Sequence, residues 1–186
     1  MQALDLLLAR ESALKLAEPG PDQEALDLMF ASAVRAPDHG RLRPWHFVVV
    51  PQHKREAFGN VLADSLQRRD PTALPEQLQH ERNKALRAPV IVVVAARLQH
   101  DHKIPLIEQR ASAAAATQSL LLAANAQGFG AVWKTGAPAY DDQVKAALGL
   151  RETDEIAGFL YIGTDVGGPS PLPRPSAASY VTVWEG

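Results

Sequence analysis

The sequence contains no cysteine. Disulfides, thiolate metal sites, iron–sulfur clusters and a cysteine nucleophile are therefore excluded. No apolar run is long enough to cross a bilayer. Met1-Gln-Ala-Leu-Asp5 carries neither a basic region nor a cleavage signal, so the cytoplasm is the expected compartment. Neither sign of charge dominates. The 19 Lys and Arg stand against 21 Asp and Glu, a formal net charge of −2, which argues against a strongly basic nucleic-acid binder and a polybasic membrane anchor. There is no Gly-x-Gly-x-x-Gly and no Gly-x-x-x-x-Gly-Lys-Ser/Thr, hence no Rossmann fingerprint and no P-loop. A Gly-x-Ser-x-Gly elbow is also missing, and no carboxylate pair marks general acid–base work.

What is present is a chain of 186 residues, 46% hydrophobic, long enough for one domain with a sizeable core; we expect a single domain over 1–186. Helical patterns fall at 4–9, at 25–35 with Asp22 as the cap, at 52–67, at 76–86 as a charged helix that could serve as a lid, at 105–127 and at 141–148. The stretch 111–126 is built largely from Ala and Leu and is apolar nearly all round, which predicts a buried helix. Gly128-Phe-Gly130 ends it as a C-cap. Strands are expected at 48–50, at 90–96 (an uninterrupted apolar, β-branched run), at 131–133 and at 157–162. Interleaved helices and strands give an α/β or α+β class with one central sheet. Beyond a segment rich in Pro and Ser, Ser179-Tyr-Val-Thr-Val-Trp184 alternates like a last strand. It pairs either with its own sheet or with the sheet edge of another chain.

The stretch from Arg35 to Val50 connects a helical run to a strand through a loop with three Arg, one Asp, one His and two Pro. Cations on a short helix-to-strand connection suit a phosphate ester or another anion; the competing reading is a solvated basic loop. His100-Asp-His102 could chelate a metal, but such a pair in a polar loop is more often solvated.

Three stretches carry more than their parts: Arg10-Glu-Ser12, Arg35-Ala-Pro-Asp-His39 with Arg43-Pro-Trp45, and Gly128-Phe-Gly-Ala-Val-Trp-Lys-Thr-Gly136. In this order and spacing the chain resembles the nitroreductase family of flavoproteins, and its minimal members in particular, over nearly its whole length. The resemblance implies an α+β, three-layer α/β/α fold with a central, mainly antiparallel sheet. It also implies a homodimer with C-terminal strand exchange and FMN bound at the subunit interface. It assigns Arg10, Glu11 and Ser12 to the phosphate-gripping motif, Arg35 and His39 to FMN contacts, and Trp133, Lys134 and Thr135 to the segment beside the isoalloxazine ring. The implied activity is hydride transfer from NAD(P)H through FMN to a nitroaromatic, quinone or related acceptor in ping-pong turnover. The alternative is a flavin-binding or flavin-handling protein without turnover.

The chemistry of the residues agrees with these roles. Arg10 and Arg35 can give an FMN phosphate charge-assisted hydrogen bonds, although Arg10 also suits an exposed helix end. Lys134 near the ring's N1 and O2 would raise the flavin potential, or is a surface residue at a strand end. Two departures stand out. Glu11 occupies a position where the family usually has a second Arg. Arg41 and Arg43 replace the family's Asn or Ser and its Gln; at the flavin edge they make the site more cationic and favour anionic acceptors, whereas turned outward they are solvated.

Overall fold

A computed structural model describes residues 2–169 and 173–186. The β-branched run becomes the middle strand, β3 (Val90–Arg97), and six of its first seven residues are 2% exposed or less. It lies between β2 (Trp45–Val50) and β5 (Asp154–Asp165); Val94 faces Phe47 on one side and Val92 faces Leu160 on the other. Strand β4 (Gly130–Lys134) pairs with β5, Trp133 opposite Leu160, and the two-residue strand β1 (Leu16–Ala17) pairs with the last residues of β5, Leu16 opposite Asp165. Every pairing is antiparallel.

Side chains on a strand alternate between faces, and here both faces are covered. Val90, Val92, Val94, Leu160 and Ile162 pack against α2 (Gln23–Ala33) and α5 (Leu106–Ala126). Ile91, Val93, Ala95, Phe159 and Tyr161 pack against α3 (Arg55–Arg69) and α6 (Asp142–Ala147). The result is the three-layer α/β/α, α+β arrangement with an antiparallel sheet. Removing each of the Val, Leu, Ile and Phe side chains from water stabilises the fold by about 1.5–3 kcal/mol.

Helix limits follow local chemistry. Asp22 starts α2 by accepting the Ala25 N–H at 2.9 Å. Gly128, at φ +85°, ends α5; the Phe129 N–H returns to the Ala124 carbonyl at 3.0 Å, so the expected C-cap forms. The charged stretch 76–86 becomes α4 (Pro75–Lys84), which lies against α3. Gly59 permits that approach, since a Cβ there would stand 2.7 Å from the Arg82 carbonyl oxygen. Among the described residues no helix is long and apolar enough to cross a membrane.

Two elements differ from expectation. Helix α5 is not covered all round: Ser112, Ala116, Leu120 and Ala124 are buried, whereas Ile107, Ala111 and Gln118 are exposed and Leu122 is half-buried. One chain covers only one side of this helix. The stretch 179–184 forms no ladder among the described residues. Ala177–Tyr180 is a 3-10 turn, and Val181, Val183 and Trp184 beyond it are 68–89% exposed. Their alternation has no sheet edge of the same chain beside it. Ser170, Pro171 and Leu172, in the arm leading there, lie outside the described residues.

Candidate functional site

Strand β4 organises the first group of candidate residues. The segment leading into β1 is tied to it by the Ala13 N–H, which donates to the Ala131 carbonyl at 3.0 Å. Arg10 and Glu11 therefore come to line a cleft with Asn125, Gly128 and Asp165. Ser12 is exposed beside them. Arg10 caps the C-terminus of α1 (Ala3–Ala9), a seven-residue helix with no buried residue. A helix so short has little stability of its own. Arg174 secures it: its guanidinium donates to the carbonyls of Leu8 (2.7 Å), Ala9 (3.0 Å) and Arg10 (3.2 Å) and lies 3.7 Å from the Glu11 carboxylate. A cation over the last carbonyls of a helix satisfies groups that have no partner within it. Nothing in the sequence signals this contact, because its partners are 164–166 residues apart.

Further along β4 a cleft of ≈ 400 Å³ opens, lined by Leu14, Lys15, Leu86, Arg87, Val132, Lys134 and Tyr161. Lys134 reaches it from the strand end, as the sequence suggests. Lys15 and Arg87 are the cations that sequence reading missed, each in an apolar surrounding that draws no notice. Burial pushes the Tyr161 phenol up to about 12, so it stays protonated and available as a donor at neutral pH. Thr135 lies beyond, in an adjoining cleft that shares Lys134. Trp133 behaves differently. Its indole packs on the opposite face of the sheet, against the core shared with α2 and α5, and its Nε1–H donates to the Ala157 carbonyl at 3.0 Å. Gly158 makes room for it, since a Cβ there would lie 2.0 Å from Nε1. Trp133 thus fixes the strand and does not line the cleft with its side chain.

Arg35, His39, Arg41 and Arg43 form a second group. Arg35 is exposed just beyond α2. The loop after it is held at both sides: the Ser112 hydroxyl donates to the Pro37 carbonyl at 2.7 Å, and the Asp38 carboxylate accepts the Arg43 N–H at 2.7 Å. Gly40, Arg41 and Arg43 all have positive φ (71°, 56° and 52°). Such a backbone is unfavourable for Arg by roughly 1–3 kcal/mol per residue and persists only where surroundings impose it. His39 Nδ1 meets Glu108 Oε2 at 2.6 Å, which sets the ring's orientation. The side chains of Arg35, Arg41 and Arg43 make no polar contact among the described residues.

The two groups do not meet in one chain. His39 binds Glu108 near the start of α5, and the cleft of Arg10 includes Asn125 near its end. At 1.5 Å per residue those positions are about 25 Å apart, further than one mononucleotide reaches from phosphate to ring. Among the described residues no cluster of His, Asp and Glu could hold a metal. His102 turns back on its own loop, its Nδ1 accepting the Ile104 N–H at 3.1 Å. Buried Gln109 holds that loop from inside, bonding the amide and carbonyl of Gln99 and the carbonyl of Ile104.

The chain thus joins a three-layer α/β/α fold on an antiparallel sheet to cationic clefts along the strand that follows a long Ala-rich helix. The chain belongs to the Nitroreductase family, which it matches over residues 9–164. It is 42% identical over 164 residues, 88% of each chain, to the Escherichia coli K12 protein named "Putative NAD(P)H nitroreductase YdjA". Its fold superimposes on the crystal structure of a nitroreductase-like family protein from Bacillus cereus with a TM-score of 0.85 at 21% identity, over 100% of this chain and 97% of that one. A point mutant of NfnB, an FMN and NADPH-dependent nitroreductase from Sphigopyxis sp. strain HMH, gives 0.79 at 22% identity, with 100% of both chains covered.

Proposed function

We propose that the protein is an FMN-dependent NAD(P)H oxidoreductase, acting in the cytoplasm as a homodimer with one FMN at each end of the interface. The observation that carries this reading is the separation of the two residue groups by the length of α5. Each group is half of an anion-binding site, and a second copy running the other way brings the Arg10 end of one chain to the Arg35 end of its partner. The open flank of α5 and the exposed Leu4, Leu7 and Leu8 of α1 supply apolar surface for such a contact. The arm ending in Trp184 would complete it as an added strand on the partner's sheet.

In this reading Arg10 and Ser12 of one chain, with Arg35 and His39 of the other, grip the phosphate and ribityl chain. Glu11 holds Arg174 over α1 in place of gripping phosphate itself. Lys134 and Thr135 border the ring, with Lys15 and Arg87 adding positive charge to the same cleft; Trp133 sets the strand beneath. Arg41 and Arg43 approach the flavin edge from the partner. Bound FMN would supply the chemistry, accepting a hydride from NAD(P)H and passing it to a nitroaromatic, quinone or related acceptor in ping-pong order. The protein's own residues need only bind, orient and exclude water.

Anaerobic mixing of the purified yellow protein with NADH and with NADPH, then with a panel of acceptors, tests this. Bleaching of the flavin band by a nucleotide and its return on adding acceptor are the expected results. A bound flavin that neither nucleotide bleaches would leave a flavin-handling protein, and a colourless protein that takes up no FMN would remove the flavin from the reading.

A further inference from the structure

The whole chain carries a formal net charge of −2, yet one cleft gathers four cations. It lies on the sheet face of Phe159 and Tyr161, between α3, α4 and the end of β4, with a volume of ≈ 220 Å³. Leu62, Leu66, Phe159 and Tyr161 give it an apolar floor. Arg69, Lys84, Arg87 and Lys134 stand around it against one carboxylate, Glu81, which pairs with Lys84. The side chains of Arg69, Arg87 and Lys134 make no hydrogen bond or ion pair among the described residues. All three are exposed, so each is hydrated in the free protein, and together they give the cleft a positive field that attracts an anion. The cleft also shares Lys134, Arg87 and Tyr161 with the ≈ 400 Å³ cleft assigned to the flavin ring.

We propose that this cleft is an acceptor subsite for a planar aromatic molecule bearing a carboxylate or similar anionic group. The ring rests on Leu62, Leu66 and Phe159, and the anion lies between Arg69 and Arg87. Guanidinium groups present paired donors that match a carboxylate. The neutral Tyr161 hydroxyl adds a further donor on the side towards Lys134. Binding here is read without turnover, whereas reduction of the bound molecule rests on the flavin reading, because the shared wall would place the acceptor beside the ring.

Binding can be measured without turnover. Calorimetric titration of the purified protein with 4-nitrobenzoate and with its neutral isostere 4-nitrobenzamide separates charge from shape. The anion should bind about tenfold more tightly, and the gap should narrow at high ionic strength. Arg69→Gln alters an exposed side chain that is not part of the ≈ 400 Å³ cleft, and should weaken 4-nitrobenzoate by about three- to tenfold while leaving the amide unchanged. Arg69→Gln combined with Arg87→Gln should abolish the preference. Equal affinities for the two compounds in the parent protein would overturn the subsite, as would a preference that survives in the double variant. Selective binding of 4-nitrobenzoate with no reduction by a nucleotide-treated protein would uphold the anion site and remove its place beside the flavin ring. Reduction of both compounds at equal affinity would remove the anion site and leave the flavin reading in place.

Discussion

Arg35 presents an unpaired guanidinium at the end of α2, and a phosphate is the ligand that such a group satisfies best. Arg35→Ala is expected to purify folded but pale, with FMN affinity lowered by roughly ten- to a hundredfold, about 1.5–3 kcal/mol. Unchanged affinity in a flavin titration would remove Arg35 from the phosphate site. Arg43 is held by its own amide on Asp38 in a left-handed backbone, so its side chain leaves the loop in a direction the loop dictates. Arg43→Gln restores the residue usual in the family and takes away a positive charge. The flavin midpoint potential should become more negative and reduction by the nucleotide should slow; equal midpoints in side-by-side redox titrations would place Arg43 in solvent. Asp154 acts on stability instead. It is fully buried, and burial alone would push its carboxyl up; hydrogen bonds from the Arg151 guanidinium and amide, with the charges of Arg151 and Arg97, outweigh that and hold it below the ordinary carboxylate range. In the unfolded chain it returns to about 3.9. The folded state therefore gains stability from ionised Asp154 above that value and loses it as pH falls through the depressed folded one. Urea midpoints should drop on acidification more steeply in the parent than in Asp154→Asn, which starts lower at neutral pH. Parallel curves would show that Asp154 contributes nothing to the acid limb.

At the level of elements, the junction of β4 and β5 is the least forgiving. Gly158→Ala puts a Cβ 2.0 Å from Trp133 Nε1 and 2.4 Å from its Cδ1, so the indole must leave its slot and give up its bond to Ala157. Overpacking of this kind costs about 1–3 kcal/mol. A lowered urea midpoint is expected, and an unaltered one would mean that the indole has another place to go. The same junction shows how far the sequence could be read. The run 90–96 announces a strand buried on both faces by its composition, and Asp22 and Gly128 announce helix ends by their chemistry. The face Trp133 occupies depends on its register against Leu160, which no local pattern encodes. Strand β1 is two residues long and exists only because Asp165 and Thr164 lie beside it. The start of β5 is polar, Asp154 and Glu155, and escaped notice because its pairing with Arg97 and Ala96 is non-local. Arg10, Lys134 and His39 drew notice as candidates because they are polar residues in family-like stretches. Lys15, Arg87 and Arg174 did not, because distant segments place their neighbours next to them.

For the whole molecule, the divided site makes a prediction about mixtures. Arg10→Ala and Arg35→Ala should each bind FMN poorly alone. Unfolded together and refolded, half the dimers are mixed, and each mixed dimer has one site in which both arginines survive. About a quarter of full flavin content should return, the ratio set by random pairing of a two-fold assembly. Sites made within single chains would recover nothing, and flavin content in the mixture would equal that of the separate variants.

The order of the strands in space has a consequence for how the chain is made. The middle of the sheet needs β5, yet β5 is the last strand in the ladder, and β1, near the start of the chain, pairs only with its final residues. During synthesis the apolar run 90–96 leaves the ribosome with β2 on one side and nothing on the other. It stays half-paired until residues 154–162 have emerged. Folding from the N-terminus onward is therefore incomplete for most of translation, and an unpaired edge of β-branched residues is exposed for that whole interval. A nascent chain of this protein should recruit a holdase while the later residues are being added, and should release it soon after β5 closes the sheet.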